Sequence, residues 1–227
     1  MSSQPYTIRR SRRAKHARIV VSADGVEVVV PERFPLSRVE PFVAEKRPWI
    51  DRTVRRYRRS AEARPPARLH HGGDLPYLGE RLALRVRTQP GRVRAHVARR
   101  DGELRVALGA AHELRTELEA WFRRRGRAEV EPRLDTATAR AGVRYTSLQI
   151  RAQRARWASC SSSGAMSFNW RLLLAPPEIL DYVVEHEVAH LSVPDHSERF
   201  WSLLEGRRPD YRSHERWLRD HGHTLRL

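Results

Sequence analysis

Apolar residues along this chain recur at every second position in some stretches and every third or fourth in others, and the changes of period divide it into elements. Residues 18–30 predict a hairpin, with Ile19-Val20-Val21 and Val26 to Val30 flanking a turn at Asp24-Gly25. Val39, Phe42, Val43, Trp49, Ile50, Val54 and Tyr57 fall near helical spacing and predict an amphipathic helix from Ser37 to Arg59. Pro41 fits its first turn, whereas Pro48 is expected to kink or split it. Ser60 to Asp74, rich in Ala, Pro, Arg and Gly, reads as a linker. Strands follow at 81–88, 92–99 and 103–108, around turns at Pro90-Gly91 and Asp101-Gly102. Leu114, Leu118, Trp121, Phe122, Val130 and Leu134 mark a long helix, bent at Pro132. Three further strands are expected at 147–151, 156–160 and 166–174, the last two joined by the turn Ser161-Ser162-Ser163-Gly164. Helices are expected through His186 and His190, over Ser197–Glu205 and over Tyr211–His221. Strands early and helices late make an α+β fold, divided as a β-rich part with one helix (1–110) and a part of small sheet and helices (111–227), or one continuous domain.

One helix carries chemistry. It begins at Pro176-Pro177-Glu178, where proline and acidic side chains suit a first turn, and buries a stripe of Leu180, Val184, Val188 and Leu191. Near its end stands His186-Glu187-Val188-Ala189-His190. Residues four apart lie one above the other, so both imidazoles can reach a single ion. Glu187 points about 100° away around the helix, towards a water rather than the ion. His196 follows in Val193-Pro194-Asp195-His196-Ser197. Three neutral imidazoles leave a fourth tetrahedral position open, the arrangement of a hydrolytic rather than a structural site. His214, His221 and His223 read as exposed terminal residues and as fallback ligands. Cys160 reads as a small buried side chain rather than a nucleophile or a ligand.

Composition narrows the setting. No window approaches the ~18 uninterrupted apolar residues of a membrane span, and Met1 to Arg13 lacks the apolar stretch of a secretory signal. The lone cysteine excludes an internal disulfide framework and fits a reducing compartment, so the cytoplasm is expected. The net charge of +17 is nearly all arginine, Lys15 and Lys46 being the two lysines. Such a balance predicts at least non-specific, salt-sensitive attraction to nucleic acid. The arginines are dispersed, with dense runs at Arg9-Arg10-Ser11-Arg12-Arg13 and Arg55-Arg56-Tyr57-Arg58-Arg59. Neither has the interleaved aromatics of a single-strand stacking platform.

Arg156-Trp157-Ala158-Ser159-Cys160-Ser161, Asn169-Trp170-Arg171, Ala175-Pro176-Pro177, the HEVAHL run and Asp195-His196-Ser197-Glu198-Arg199-Phe200-Trp201 occur in that order. Together they closely resemble the YgjP-like metallopeptidase family, and Tyr6 to Ala14 with Trp49-Ile50 extend the resemblance over nearly the whole chain. The resemblance implies a zincin-like catalytic core, a small sheet plus the HExxH helix. It also implies one divalent metal, zinc above other ions, on His186, His190 and His196, with Glu187 as the catalytic carboxylate. Two positions depart from the family pattern: Ala158 replaces a glycine, and Asp195 replaces an asparagine and is placed to hydrogen-bond a ligand imidazole.

These readings predict a zinc-dependent hydrolase, first of all a metallopeptidase, in which Glu187 takes a proton from the attacking water. Charge developing in the transition state needs a second stabiliser, for which Arg156, Arg171 and Tyr211 are the candidates. Trp157 and Trp170 are expected in the core, and Phe200 and Trp201 are expected to anchor the segment of His196 on the metal helix. Two alternatives stand beside the peptide or protein substrate: a metal-dependent nucleotide phosphohydrolase, with arginines on the phosphates, and a nucleic-acid-associated protein with a structural metal.

Overall fold

Three small sheets and five helices organise the chain in the computed structural model, which describes residues 6–22, 25–63, 67–153 and 156–227. By contact it groups into two compact units. The first holds strands β1 (Tyr6–Ser11), β2 (Arg18–Ser22) and β3 (Gly25–Pro31), helix α1 (Val39–Ala63), and the segment Asp220–Thr224. β3 is central, parallel to β1 and antiparallel to β2. The expected hairpin forms, while Asp24 of its turn lies outside the described residues. Val26, Val28 and Val30, at period two, bury against Val39, Val43 and Ile50 of α1. The helix runs unbroken through Pro48, where a kink or a split was expected. Proline removes one amide donor there. Val43 before it and Ile50 after it bury in the same cluster, so packing carries the helix across. Tyr57 stacks on His223 at 3.8 Å, which ties the C-terminal segment to this unit.

The second unit runs on to Arg219 and includes Leu225–Leu227. Its first sheet has the order β4 (Asp74–Tyr77), β5 (Glu80–Thr88), β7 (Glu103–Leu108), β6 (His96–Arg100), with β5 and β7 parallel. β4 begins at Asp74, the last residue of the expected linker, and turns into β5 through Leu78 (φ 43°) and Gly79 (φ 87°), both left-handed as a tight hairpin requires. β6 begins later than the expected Arg92, because the Arg92 amide closes a turn onto the Gln89 carbonyl at 3.2 Å. Asp101 (φ 52°) and Gly102 (φ 74°) make the expected turn between β6 and β7.

Helix α2 (Leu114–Ala141) continues through Pro132 and stops at Gly142. It lies close on strand β8 (Ser147–Arg151): a Cβ on Gly126 would stand 3.0 Å from Cγ2 of Ile150. The second sheet places β10 (Ala165–Asn169) between β8, parallel, and β9 (Ala158–Cys160), antiparallel. β10 ends at Asn169, short of the expected Leu174. The Asn169 side chain accepts from the Arg171 amide at 3.1 Å and starts a 3-10 turn over Trp170–Leu174. Three helices follow, α3 (Pro177–His190), α4 (Glu198–Arg207) and α5 (Tyr211–His221). Ile179, Leu180, Val183, Val184 and Val188 are all buried, so α3 is enclosed around most of its girth rather than along one stripe. The β4–β5 turn docks against its start, the Leu78 amide donating to the Leu173 carbonyl at 2.7 Å. α2 flanks it, with Arg133 on Asp181 at 2.9 Å and Arg140 on the buried Glu185. This is an α+β fold whose small sheet and HExxH helix form the expected core. Among the described residues no helix is long and apolar enough to cross a membrane.

Candidate metal centre

Helical spacing puts His186 and His190 on one face of α3, ring centroids 4.9 Å apart. His196 reaches them because α3 does not simply stop. The amides of Ser192 and Val193 both turn back to the Ala189 carbonyl, at 3.0 and 2.9 Å, and the chain reverses beneath the helix end. Nε2 of His196 then lies 3.0 Å from Nε2 of His186. One ring nitrogen from each of the three lies within 4.8 Å of the others. Nitrogens about 2.0–2.1 Å from one zinc ion would be separated by roughly 3.3 Å, so the spacing fits a shared cation.

Surroundings hold the rings in that pose. Nδ1 of His190 is 3.1 Å from the Val193 carbonyl. A carbonyl only accepts, so Nδ1 carries the proton and Nε2 keeps its lone pair. Phe200, fully buried, packs against each of the three imidazoles at centroid distances of 4.5–4.9 Å. Trp201 stacks on His196 at 5.5 Å and on Tyr211 at 5.5 Å. Both aromatics thus anchor the His196 segment as expected. Burial, then the charges of His190 and His196, lower His186 to about 3, and burial lowers His190 as well. Both shifts favour the neutral imidazole, the form that binds metal.

Glu187 is buried beside this triad. Burial pushes its carboxyl up to about 7, against the pull of the Cys160 backbone amide and the positive charge of Arg156. A carboxylate with that affinity for protons, next to a cation site, suits proton transfer at neutral pH. It opens with His186 onto a cleft of about 380 Å³. The cleft walls come from β9 and the residues before it (Arg156, Trp157, Ala158), from α3 (Tyr182, Val183), and from α5 (Glu215, Leu218, Arg219).

Residues 15–221 match the family described as YgjP-like, metallopeptidase domain. The chain belongs to that family. Among solved structures, the crystal structure of the metallopeptidase zymogen of Pyrococcus abyssi abylysin is 26% identical, over 39% of this chain and 91% of that one, with a TM-score of 0.36. No curated protein gives a significant match. As a YgjP-like metallopeptidase, the protein is a metal-dependent hydrolase, with a trio of histidines able to hold one ion.

Several expectations for this YgjP-like site change in detail. Arg156 lines the cleft, exposed to solvent. Arg171 instead has its guanidinium over the Trp170 ring at 4.7 Å, and Tyr211 is buried in the stack behind Trp201. Trp170 is in the core, but Trp157 is only half-buried and forms cleft wall, because β9 is an edge strand. Asp195 accepts from the Ser197 amide at 3.2 Å rather than from a ligand imidazole; the Val193 carbonyl fills that role. His214 is buried against Tyr182, and His223 is engaged with Tyr57, so neither is an exposed terminal residue. Cys160 is half-buried and lies outside the histidine cluster, its thiol raised by burial and by Glu187. Tyr182 was the missed wall residue with a local signal, since it stands four residues before His186 on the same face. Glu215, Leu218 and Arg219 arrive from α5 with no such signal.

Proposed function

We propose that the protein is a zinc metallopeptidase in which His186, His190 and His196 hold the ion and Glu187 is the general base. One observation carries this reading: three imidazole nitrogens converge within 4.8 Å while a buried carboxylate of raised proton affinity opens with one of them, His186, onto the same cleft. Nitrogen donors in this number favour zinc, with one coordination position left over. Zinc bound there would acidify water towards a pKa of about 7 and polarise a substrate carbonyl. Glu187 accepts the proton of the attacking water and returns it to the leaving amine. The Cys160 amide, donating to the Glu187 carboxylate, orients it for that exchange. Arg156 lies on the cleft wall, where its charge faces the developing oxyanion. The single free cysteine favours a reducing, cytoplasmic setting.

The test incubates zinc-loaded protein separately with casein and with nucleoside triphosphates, alongside Glu187→Gln. Casein cleavage abolished by the substitution supports the peptidase. Turnover of nucleotide alone, abolished by the same change, replaces it with a phosphohydrolase.

A further inference from the structure

The Arg55–Arg59 run has no part in the hydrolytic site. On α1, residues 52, 55, 56 and 59 follow helical spacing and share one face. Their arginines line a concave site of about 310 Å³ in the first unit, closed on its other side by Asp220 and His221. Arg56 is held by Asp220 at 3.6 Å. Its Nε is nevertheless buried with no hydrogen-bond partner among the described residues. Arg52, Arg55 and Arg59 are exposed, and among the described residues none of them is in an ion pair. Four guanidiniums against one carboxylate leave the lining at +3 (4 − 1). Elsewhere arginines are spent on local carboxylates, as with Arg85 and Arg105 on Glu103. A site that gathers positive charge and pairs so little of it is built for an anion from outside.

We infer that this arginine face binds the phosphate backbone of a nucleic acid strand. Each guanidinium offers a planar fork that matches two phosphate oxygens. Seven residues of helix carry the row about 10.5 Å. That length spans successive phosphates of one strand, which repeat about every 3.4 Å along the axis of a stacked helix, and exceeds what a lone phosphate group would use. Tyr57, the one aromatic in the run, is already stacked on His223 and offers no platform for bases. Binding is therefore to the backbone and indifferent to sequence. It rests on the first unit and is independent of the metal site.

The test uses the full chain and a fluorescent 20-mer of single-stranded DNA, with affinity measured by anisotropy across a series of salt concentrations. Arg52→Gln/Arg55→Gln/Arg59→Gln is compared with Arg87→Gln/Arg94→Gln/Arg144→Gln, which removes the same charge from exposed positions of the second unit. Each lost phosphate contact lowers the slope of log K against log salt by about 0.7 on a single strand, so the α1 variant should lose about 2. The second-unit variant should keep nearly the wild-type slope. Equal losses in both variants, or no binding by the wild type, overturn the inference. So does inorganic phosphate competing as strongly as the 20-mer on a per-phosphate basis, which would mark a small-anion site. Circular dichroism checks folding; if the triple variant is unfolded, Arg55→Gln alone carries the test with an expected loss of about 0.7.

Discussion

The Val193 carbonyl accepts the Nδ1 proton of His190 across 3.1 Å, so the turn that follows helix α3 also sets the tautomer of the helix's last residue. A backbone acceptor cannot be removed by side-chain substitution, and the nearby Pro194 restricts Val193 to extended backbone. The turn therefore presents Nε2 of His190 to the cluster with little freedom.

Metal content follows from this geometry. Purified wild-type protein should carry one ion per chain, and His190→Ala or His196→Ala should lose it, as read by elemental analysis. Chelation should lower the melting temperature, since a ligand at 100 times its dissociation constant contributes about 2.7 kcal/mol to stability. Unchanged stoichiometry in both variants would remove the metal centre.

Glu187→Gln should keep the ion and the fold while hydrolysis falls by about 10²–10⁴-fold. Glutamine retains an oxygen for the Cys160 amide but cannot accept the proton. Wild-type turnover by this variant, with metal bound, would relieve Glu187 of its role.

Phe200 packs against all three imidazoles and is fully buried. Phe200→Ala should cost about 3–5 kcal/mol in denaturant unfolding, through lost burial and the cavity left behind. Metal affinity should fall as well, by about 10–100-fold, because the rings lose the side chain that supports them. A stable variant with unaltered affinity would show that the histidines are held by other contacts.

Acid stability depends on Asp74. Arg81, and after it Arg68 at 2.5 Å, hold its carboxyl below the ordinary aspartate range. A depressed folded-state pKa contributes stability at pH values above the ordinary value of about 3.9, and that stability is lost as pH falls through the folded value. Asp74→Asn should flatten the decline in stability below about pH 4 relative to wild type. Urea midpoints measured from pH 2.5 to 6 check this, and parallel curves would refute it.

Much of the site could be read locally. His186 and His190 are paired by helical spacing alone, and Pro177 and Glu178 mark the start of their helix. The valines of β2 and β3 announce a hairpin by alternation. Boundaries failed where one side chain or turn overruled propensity: Asn169 capped a 3-10 turn inside an apolar run, and the Arg92 turn delayed β6. β1 passed unnoticed because most of its residues are exposed and show no apolar alternation, and β4 because it has four residues; pairing with β3 and β5 stabilises them.

The order of apolar and polar residues, with three histidines and a glutamate at fixed separations, determined the helix that carries the candidate metal ligands, because period and reach along a helix are local properties. Which groups surround that helix was decided only by folding. The Cys160 amide on Glu187 and Trp157 in the cleft wall, Leu218 in the same wall, and Phe200 against the rings come from three separate segments. Periodicity says that a face is buried but not what buries it, so contacts between distant segments are settled by how complementary surfaces pack.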